Sequence, residues 1–589
     1  MRLIRPLFRR HRLRIAAGFA ALGLVDLVQL YIPRIMKQVI DGLARGTATE
    51  AGLIRAGGAI FGLALAIALL RFGWRYLVLG FSRMLERDLR DRMFLHLLGM
   101  DRTFFGRRST GDIMALSTND LASVQLSCGM GLVACVDAVF MSIAAILFMA
   151  ALNWRLTAIA VAPMPVLAVL TRILARRLHR RFRKVQEQFA RITEFARSTI
   201  ASIRLIQAYT QEAYQAAQFD RMGREYVEDN IRLAVIQGTL FPFSGLIANT
   251  SLLLVLFFGG RLAVGGIITV GDLTAFIAYL YLLTWPMMAL GWVVNLFQRG
   301  ATSLQRIEGL LEERTDIEEP AGAIQLDRVV GTIAVQGLSF TYPRARAPAL
   351  DRLQLDLQPG TTTGLVGRTG CGKSTLCHLL ARFYPVPDGT LLVDGRDVNR
   401  LTLDSVRNAV ALVPQEVVLF SDTIAANIAF GRPRADLDAI ASVARVAAID
   451  DEILAMPDGY ETRIGERGVK LSGGQRQRLA IARALLLERP ILIIDDGLSA
   501  VDLETEHAII HNIRHFLRGR TCLIVSHRVA PLADADTILV MANGRIVDRG
   551  DHARLIERNA YYAGIYRHQV GASRESGGNG GKAKMEKRK

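Results

Sequence analysis

TTTGLVGRTGCGKSTLCHLL, residues 361–380, carries the reading that decides the C-terminal half. Its centre, GRTGCGKST at 367–375, fits G-x-x-x-x-G-K-[ST], with a strand-like run before it and a helix-like run after it. Gly367, Gly370 and Gly372 let backbone N–H groups approach a phosphate chain, and the helix start adds a favourable dipole. Arg368, Thr369 and Cys371 fill the variable positions, and Cys371 carries no expected redox role. Lys373 is expected on the β- and γ-phosphates, Ser374 on Mg²⁺, and Thr375 completes the loop. The ligand this predicts is ATP with Mg²⁺.

Two further segments belong to the same chemistry. ILIIDD at 491–496 reads as a buried strand that ends by presenting Asp495 to the metal shell. LSGGQ (Leu471, Ser472, Gly473, Gly474, Gln475) opens a helix with a second turn of backbone N–H groups suited to an anion. Around them, short β-rich runs (TIAVQGLSF, LLVD, AVALV, TCLIVS, TILVM) alternate with helical ones from about residue 332. That alternation predicts an α/β domain with a mainly parallel sheet.

N-terminal to this domain the composition is different. The chain has 589 residues, 51% hydrophobic and 21% charged, with mean hydropathy +0.27. Six apolar segments are long enough to approach a bilayer's ~30 Å core: 15–33, 56–80, 129–152, 156–171, 233–260 and 273–298. The third and fourth are joined only by Asn153, Trp154 and Arg155, which demands a tight helical hairpin. The first is expected to stay as a membrane helix and not to be a cleavable leader, since no small-residue cleavage site precedes the later spans. The net charge of +18 is uneven: residues 1–320 hold 37 basic and 24 acidic side chains, and 321–570 hold 29 and 28. Excess cations on the hydrophobic half point to a lipid surface and not to nucleic acid. Six arginines in 1–14 and seven cations in 172–184 place both termini and two long helical loops (81–128 and 172–232) in the cytoplasm. RPLFRRHRLR (5–14) is either a topology signal or an amphipathic helix on the inner leaflet. The five cysteines show no metal spacing and are expected as reduced thiols. Asp26, Arg71, Arg75, Asp137, Asn249 and Asn295 are expected to face the bundle interior, with Asp26 pairing to Arg71 or Arg75 as one arrangement. Phe241, Phe243, Tyr279, Tyr281, Trp285 and Trp292 either line a cavity or pack and anchor the helices, and Pro286 is a candidate kink.

LSGGQ together with the phosphate loop and the Asp-ended strand resembles the nucleotide-binding domain of ATP-binding-cassette (ABC) transporters. The resemblance covers about residues 1–570, because FFGRRSTGDIMALSTND (104–120) resembles the first coupling region of the exporter type. It implies that Tyr342 stacks on adenine, Gln415 senses Mg²⁺ and faces the membrane helices, and His527 contacts the γ-phosphate. It also implies that Ser499, Ala500, Val501 and Asp502 cross between two cassettes, and that TRIGERG (462–468) meets the coupling helices. The implied fold is a membrane all-α six-helix domain of the ABC exporter type (1–310), a linker (311–331), an α/β P-loop cassette (332–570) and a basic disordered tail (571–589). The resemblance implies a head-to-tail pair of cassettes, in which the two anion turns of one chain would belong to two sites, with a second half-transporter as partner.

One residue departs from the family pattern. The position after the Asp-ended strand, usually a glutamate that activates water, is Asp496. Aspartate is one methylene shorter, and a misplacement of about 1 Å can cost on the order of 100-fold in rate. With the other motifs intact, this asymmetry resembles the multidrug-resistance-like ATP-binding subunits of bacterial heterodimeric exporters. The implied activity is ATP-driven export of amphipathic drugs or lipids across the inner membrane by alternating access, with a partner carrying an intact glutamate. A homodimeric lipid flippase, in which Asp496 is an adequate base, and an ATP-gated regulator with little hydrolysis are the alternatives. A soluble chromosome-maintenance ATPase is disfavoured by the spans and the near-neutral cassette.

Overall fold

The computed structural model describes residues 3–343, 345–465 and 471–569. It has two compact units: Met1–Gly99 with Ser109–Glu313, and Met100–Arg108 with Arg314–Lys589. Residues 100–108 therefore belong to the second unit, although the chain on either side of them belongs to the first.

The first unit is helical. Its long elements are α1 (Arg12–Ala44), α2 (Glu50–Leu98), α3 (Thr110–Leu152), α4 (Met164–Ala201), α5 (Glu212–Leu254) and α6 (Val270–Glu312). Among the described residues α1, α2 and α3 are apolar and long enough to cross a membrane, and Asn249–Val264 is a shorter apolar helix. The 43 residues of α5 and of α6 reach about 65 Å at 1.5 Å per residue, roughly twice a bilayer's apolar core. Both helices therefore extend well beyond one. Asn153 makes the tight α3–α4 hairpin, its side chain accepting from Leu156 N–H at 3.0 Å to cap the short helix Trp154–Val161. α6 starts in a capping box between Thr269 and Asp272 and runs on through Pro286. That start is tied to α1: Lys37 pairs with Asp272 at 2.6 Å, and Gly271 N–H donates to Asp41 at 3.0 Å. At the other end of α6, Ser303 and Arg306 each donate to Asp120 of α3 at 2.6 Å.

The expected pairing of Asp26 with arginine is corrected. Arg71 donates instead to Gln29 at 2.9 Å, one turn along α1, and Asp26 is buried without an ion pair to Arg71 or Arg75. Asp137 is half-buried, while Arg71, Arg75, Asn249 and Asn295 are exposed on this chain. Tyr279 is a packing residue, buried with its hydroxyl donating to Leu30 O at 3.0 Å. Tyr281, Trp285 and Trp292 are exposed to a cavity within the helical unit. The side chains of Phe241 and Phe243, residues 466–468 of TRIGERG and the tail 571–589 lie outside what is described.

The second unit holds two sheets. β1 (Ile333–Phe340), β2 (Leu350–Leu357), β4 (Leu391–Val393) and β5 (Arg396–Asp397) form an antiparallel sheet in the order β2-β1-β4-β5. β3 (Thr362–Gly367), β6 (Val410–Val413), β7 (Ile491–Asp495), β8 (Thr521–Val525), β9 (Thr537–Ala542) and β10 (Arg545–Gly550) follow the order β10-β9-β3-β8-β7-β6. The second sheet is parallel except for β10. Every residue of β3, β7 and β8 is buried, as strands covered on both faces must be. The antiparallel sheet was not separable by sequence from the main one. β2 shows why: its alternation of buried and solvent-facing residues marks a half-buried strand without naming its neighbour. α7 (Lys373–Leu380), α8 (Gly473–Leu486) and α9 (Leu503–Phe516) supply the helices that matter for the site.

Candidate nucleotide-binding site

The site forms where β3, β7 and β8 end. Leu365 and Asp495 both lie opposite Val525 of the central strand β8, so the loop after β3 and the tip of β7 emerge side by side. The turn into α7 requires glycine at Gly372, which has φ +109° and no room for a Cβ: Ala349 O would lie 2.5 Å away. Across this loop Lys373 donates from Nζ to Gly367 O at 2.8 Å and Arg368 O at 3.0 Å. Arg368 also lies over the Tyr561 ring at 5.7 Å.

Ser374 Oγ donates to Asp495 Oδ1 at 3.1 Å. A hydroxyl and a carboxylate so placed, beside a lysine ammonium, form the all-oxygen donor set suited to Mg²⁺ on a phosphate chain. Burial raises the Asp495 pKa, its bond from Ser374 opposes that, and the neighbouring Asp496 charge adds to it. Tyr342 is half-buried, and its hydroxyl donates to Thr375 Oγ at 3.0 Å. Its ring meets Phe340 and Tyr384 edge-on, with centroids 5.0 and 5.4 Å away, so its orientation is fixed from two sides.

Asp496 is held on several sides. Its N–H donates to Val525 O at 2.9 Å, its carbonyl accepts from Gln477 Nε2 at 3.4 Å, and its carboxylate meets His527 Nδ1 at 2.9 Å. Its φ is +51°, a left-handed conformation that aspartate adopts more readily than most residues. Burial raises its pKa against the lowering charges of His527, Lys373 and Arg528. The structure thus brings Lys373, Ser374 and Asp495 together, and Asp496 with His527. Gln415 lies two residues past β6 and is exposed, and among the described residues no side-chain bond ties it to Ser374 or Asp495.

Ser472 caps α8 in a reciprocal box: Gln475 N–H donates to Ser472 Oγ at 3.2 Å, and Ser472 N–H donates to Gln475 Oε1 at 2.9 Å. Gln475 also donates to Glu452 at 2.8 Å, while Leu471 is buried beneath the turn. Gly473 and Gly474 pass close to Ala500. Among the described contacts, none joins residues 471–475 to the loop 367–375.

Three residues that sequence reasoning missed organise this region. Gln477 donates to Ser499 Oγ at 3.0 Å and accepts from Ala500 N–H at 2.9 Å, fastening α8 to the segment 499–502. Arg528 donates to Ser499 O at 2.9 Å, Val501 O at 3.2 Å and Glu506 at 3.2 Å. Glu506 is 2% exposed, and burial pushes its pKa up to about 7 against the pull of Arg528. The signal for Gln477 was present in LSGGQRQ, two residues past Gln475, but nothing local says which way that side chain points.

Residues 100–108 add one more contact. Arg102 lies 2.9 Å from His378 Nε2 on α7, and the short helix Arg102–Arg107 is capped by Asp101, which also accepts from Thr315 at 2.9 Å. Burial and the Arg102 charge push His378 down to about 4, so its ring is the neutral acceptor.

Comparison with known proteins gives a consistent picture. The model described as ABC transporter transmembrane region matches residues 15–287, and the model described as ABC transporter matches 350–499. The chain is 38% identical over 563 residues to the "Multidrug resistance-like ATP-binding protein MdlA" of Escherichia coli (strain K12), covering 95% of both. It is 34% identical over 578 residues to an "ATP-dependent lipid A-core flippase" of Nitrosococcus oceani, covering 96% of this chain and 95% of the relative. Among solved structures, a bacterial Atm1-family ABC exporter with ATP bound superimposes with TM-score 0.77 at 28% identity, covering 95% of this chain and 99% of that one.

Proposed function

Because the chain belongs to the ABC transporter family, as an exporter-type membrane domain fused to an ATPase cassette, we propose that it is one subunit of a heterodimeric exporter. ATP-driven export is common ground with its relatives. The asymmetric pairing rests on one observation: Asp496 stands where the water-activating carboxylate is expected, and it is tied to His527 at 2.9 Å on a backbone pinned to β8.

In this reading Lys373 and the N–H groups of 367–375 hold the phosphates, Tyr342 supports the adenine, and Ser374 and Asp495 hold Mg²⁺ with Gln415 closing on it. Mg²⁺ would supply charge neutralisation on the phosphates. Asp496 and His527 position water and the γ-phosphate slowly, so this site retains ATP while a partner's glutamate, capped by residues 471–475 of this chain, drives the cycle. The setting is a bacterial inner membrane with both termini and the cassette in the cytoplasm, and the cargo is an amphipathic compound or lipid. Likeness to the lipid A-core flippase favours a second reading, a homodimer moving lipid. Purification from the native membrane distinguishes the two. A second half-transporter with glutamate at the matching position co-purifies if the heterodimer is right; recovery of this chain paired only with itself refutes it.

A further inference from the structure

Helix α9 carries a histidine stripe that the ATP chemistry does not use. His507, His511 and His515 recur every four residues in HAIIHNIRH, so they share one face of the helix. All three are exposed. Four residues is the spacing at which zinc-binding helices present two histidines to one ion.

The two later rings are already drawn together. The centres of His511 and His515 lie 4.5 Å apart with 46° between the ring planes. Two imidazoles on one ion make metal–nitrogen bonds of about 2.0–2.1 Å, which at a tetrahedral angle sets the nitrogens roughly 3.3 Å apart. Rings spaced like these reach that separation by small side-chain rotations. The His515 ring is also fixed in its tautomer. Its Nδ1 lies 3.1 Å from His511 O, and a carbonyl can only accept, so Nδ1 carries the proton and the neutral ring keeps its lone pair on Nε2. Donation of one ring N–H to a backbone carbonyl is the support that metal-bound histidines usually have. Among the described residues no hydrogen-bond partner occupies His515 Nε2. Arg514, the cation beside His515 in sequence, is drawn to Asp536 at 3.4 Å. No third histidine, cysteine or carboxylate joins the pair among the described residues, which leaves the remaining positions on an ion to water. Two imidazoles select by ligand type: they suit copper, nickel and zinc, whereas Mg²⁺ and Ca²⁺ take oxygen.

We propose that His511 and His515 form a chelating site for a divalent transition-metal ion of the copper–nickel–zinc class, separate from the oxygen donors Ser374 and Asp495. The ion bridges one turn of α9 and so braces the helix that carries Glu506, the partner of Arg528, near its start. Both ligands are exposed, so the ion has a path from solvent.

The test uses the full chain in lipid nanodiscs, freed of any histidine tag, with Cu²⁺ as the probe and electron paramagnetic resonance as the readout. The wild type is expected to bind its first copper ion with hyperfine coupling to two imidazole nitrogens. His511→Ala and His515→Ala should each reduce the coupling to one nitrogen and weaken binding at least about tenfold, while His507→Ala changes neither. The three side chains are exposed, so their removal deletes ligands without opening the core. Excess Zn²⁺ should displace the copper, and the same excess of Mg²⁺ should not. A first copper held by one nitrogen, or by oxygen alone, overturns the proposal in the wild type by itself. A two-nitrogen signal that survives His515→Ala, or that vanishes with His507→Ala, overturns it as well, because other histidines would then be the ligands. Displacement by Mg²⁺ as readily as by Zn²⁺ overturns the metal class.

Discussion

Replacing Asp496 by glutamate is the sharpest test of the ATP site. The substitution extends the carboxylate by about one C–C bond, roughly 1.5 Å. Backbone movement cannot supply that distance in the wild type. β7 is hydrogen-bonded to β6 and β8 on its two edges, Asp496 N–H is committed to Val525 O at 2.9 Å, and its carbonyl accepts from Gln477. A carboxylate about 1 Å short of its working position loses on the order of 100-fold, about 2.7 kcal/mol of barrier. Asp496→Glu should therefore raise steady-state phosphate release by this chain in nanodiscs about 10- to 100-fold, with little change in the KM for ATP. The left-handed backbone at 496 strains glutamate more than aspartate, so a small loss of thermal stability should accompany the gain. Lys373→Ala provides the blank, since it removes the ammonium that spans the phosphate loop. The reasoning is refuted if the wild type already turns over within about threefold of the glutamate variant, well below the misplacement penalty.

Glu506 gives a pH signature. Its folded pKa of about 7 exceeds the ordinary 4.5, chiefly through burial, so its contribution is fully present below pH 4.5 and is lost as pH rises through 7. The melting temperature of the wild type minus that of Glu506→Gln should accordingly fall between pH 5 and pH 8; a constant or rising difference contradicts the assignment. In the membrane unit, Gly271→Ala places a Cβ 2.5 Å from both Asp41 Oδ1 and Lys37 O, displacing the carboxylate that ties α6 to α1. The expected cost is about 1–3 kcal/mol, read as a lower melting temperature in detergent or nanodiscs, and an unchanged melting temperature would show that the α1–α6 tie contributes little.

The parts legible in sequence were those where chemistry and local geometry coincide. GRTGCGKST must turn from strand to helix to work at all, and ILIID must be buried on both faces to deliver Asp495, so residue types alone placed both. What escaped depends on distant chain segments meeting. Nothing near Asp496 foretells that the carbonyl of Val525 fixes its backbone, or that Gln477 of α8 reaches its carbonyl. Hydropathy likewise located Asp26 inside a span, but whether it met an arginine partner depended on how α1, α2 and α6 face one another. Arg71 proved to be engaged by Gln29, a residue that sequence reasoning had passed over.

Gln477 deserves a last consequence, because its amide belongs to two conversations. It rides on the helix opened by the 471–475 turn, yet its hydrogen bonds end on Asp496, the neighbour of the Asp495 that Ser374 holds, and on Ser499 and Ala500. If a partner's nucleotide closes on that turn, any shift of α8 is delivered to Asp496 through the same side chain. Such a link is reciprocal: whatever free energy one nucleotide spends on the arrangement at the other site is returned in equal measure when the order of binding is reversed. In the proposed heterodimer a slow site built this way would be no idle remnant. It would set the affinity of its neighbour simply by remaining full.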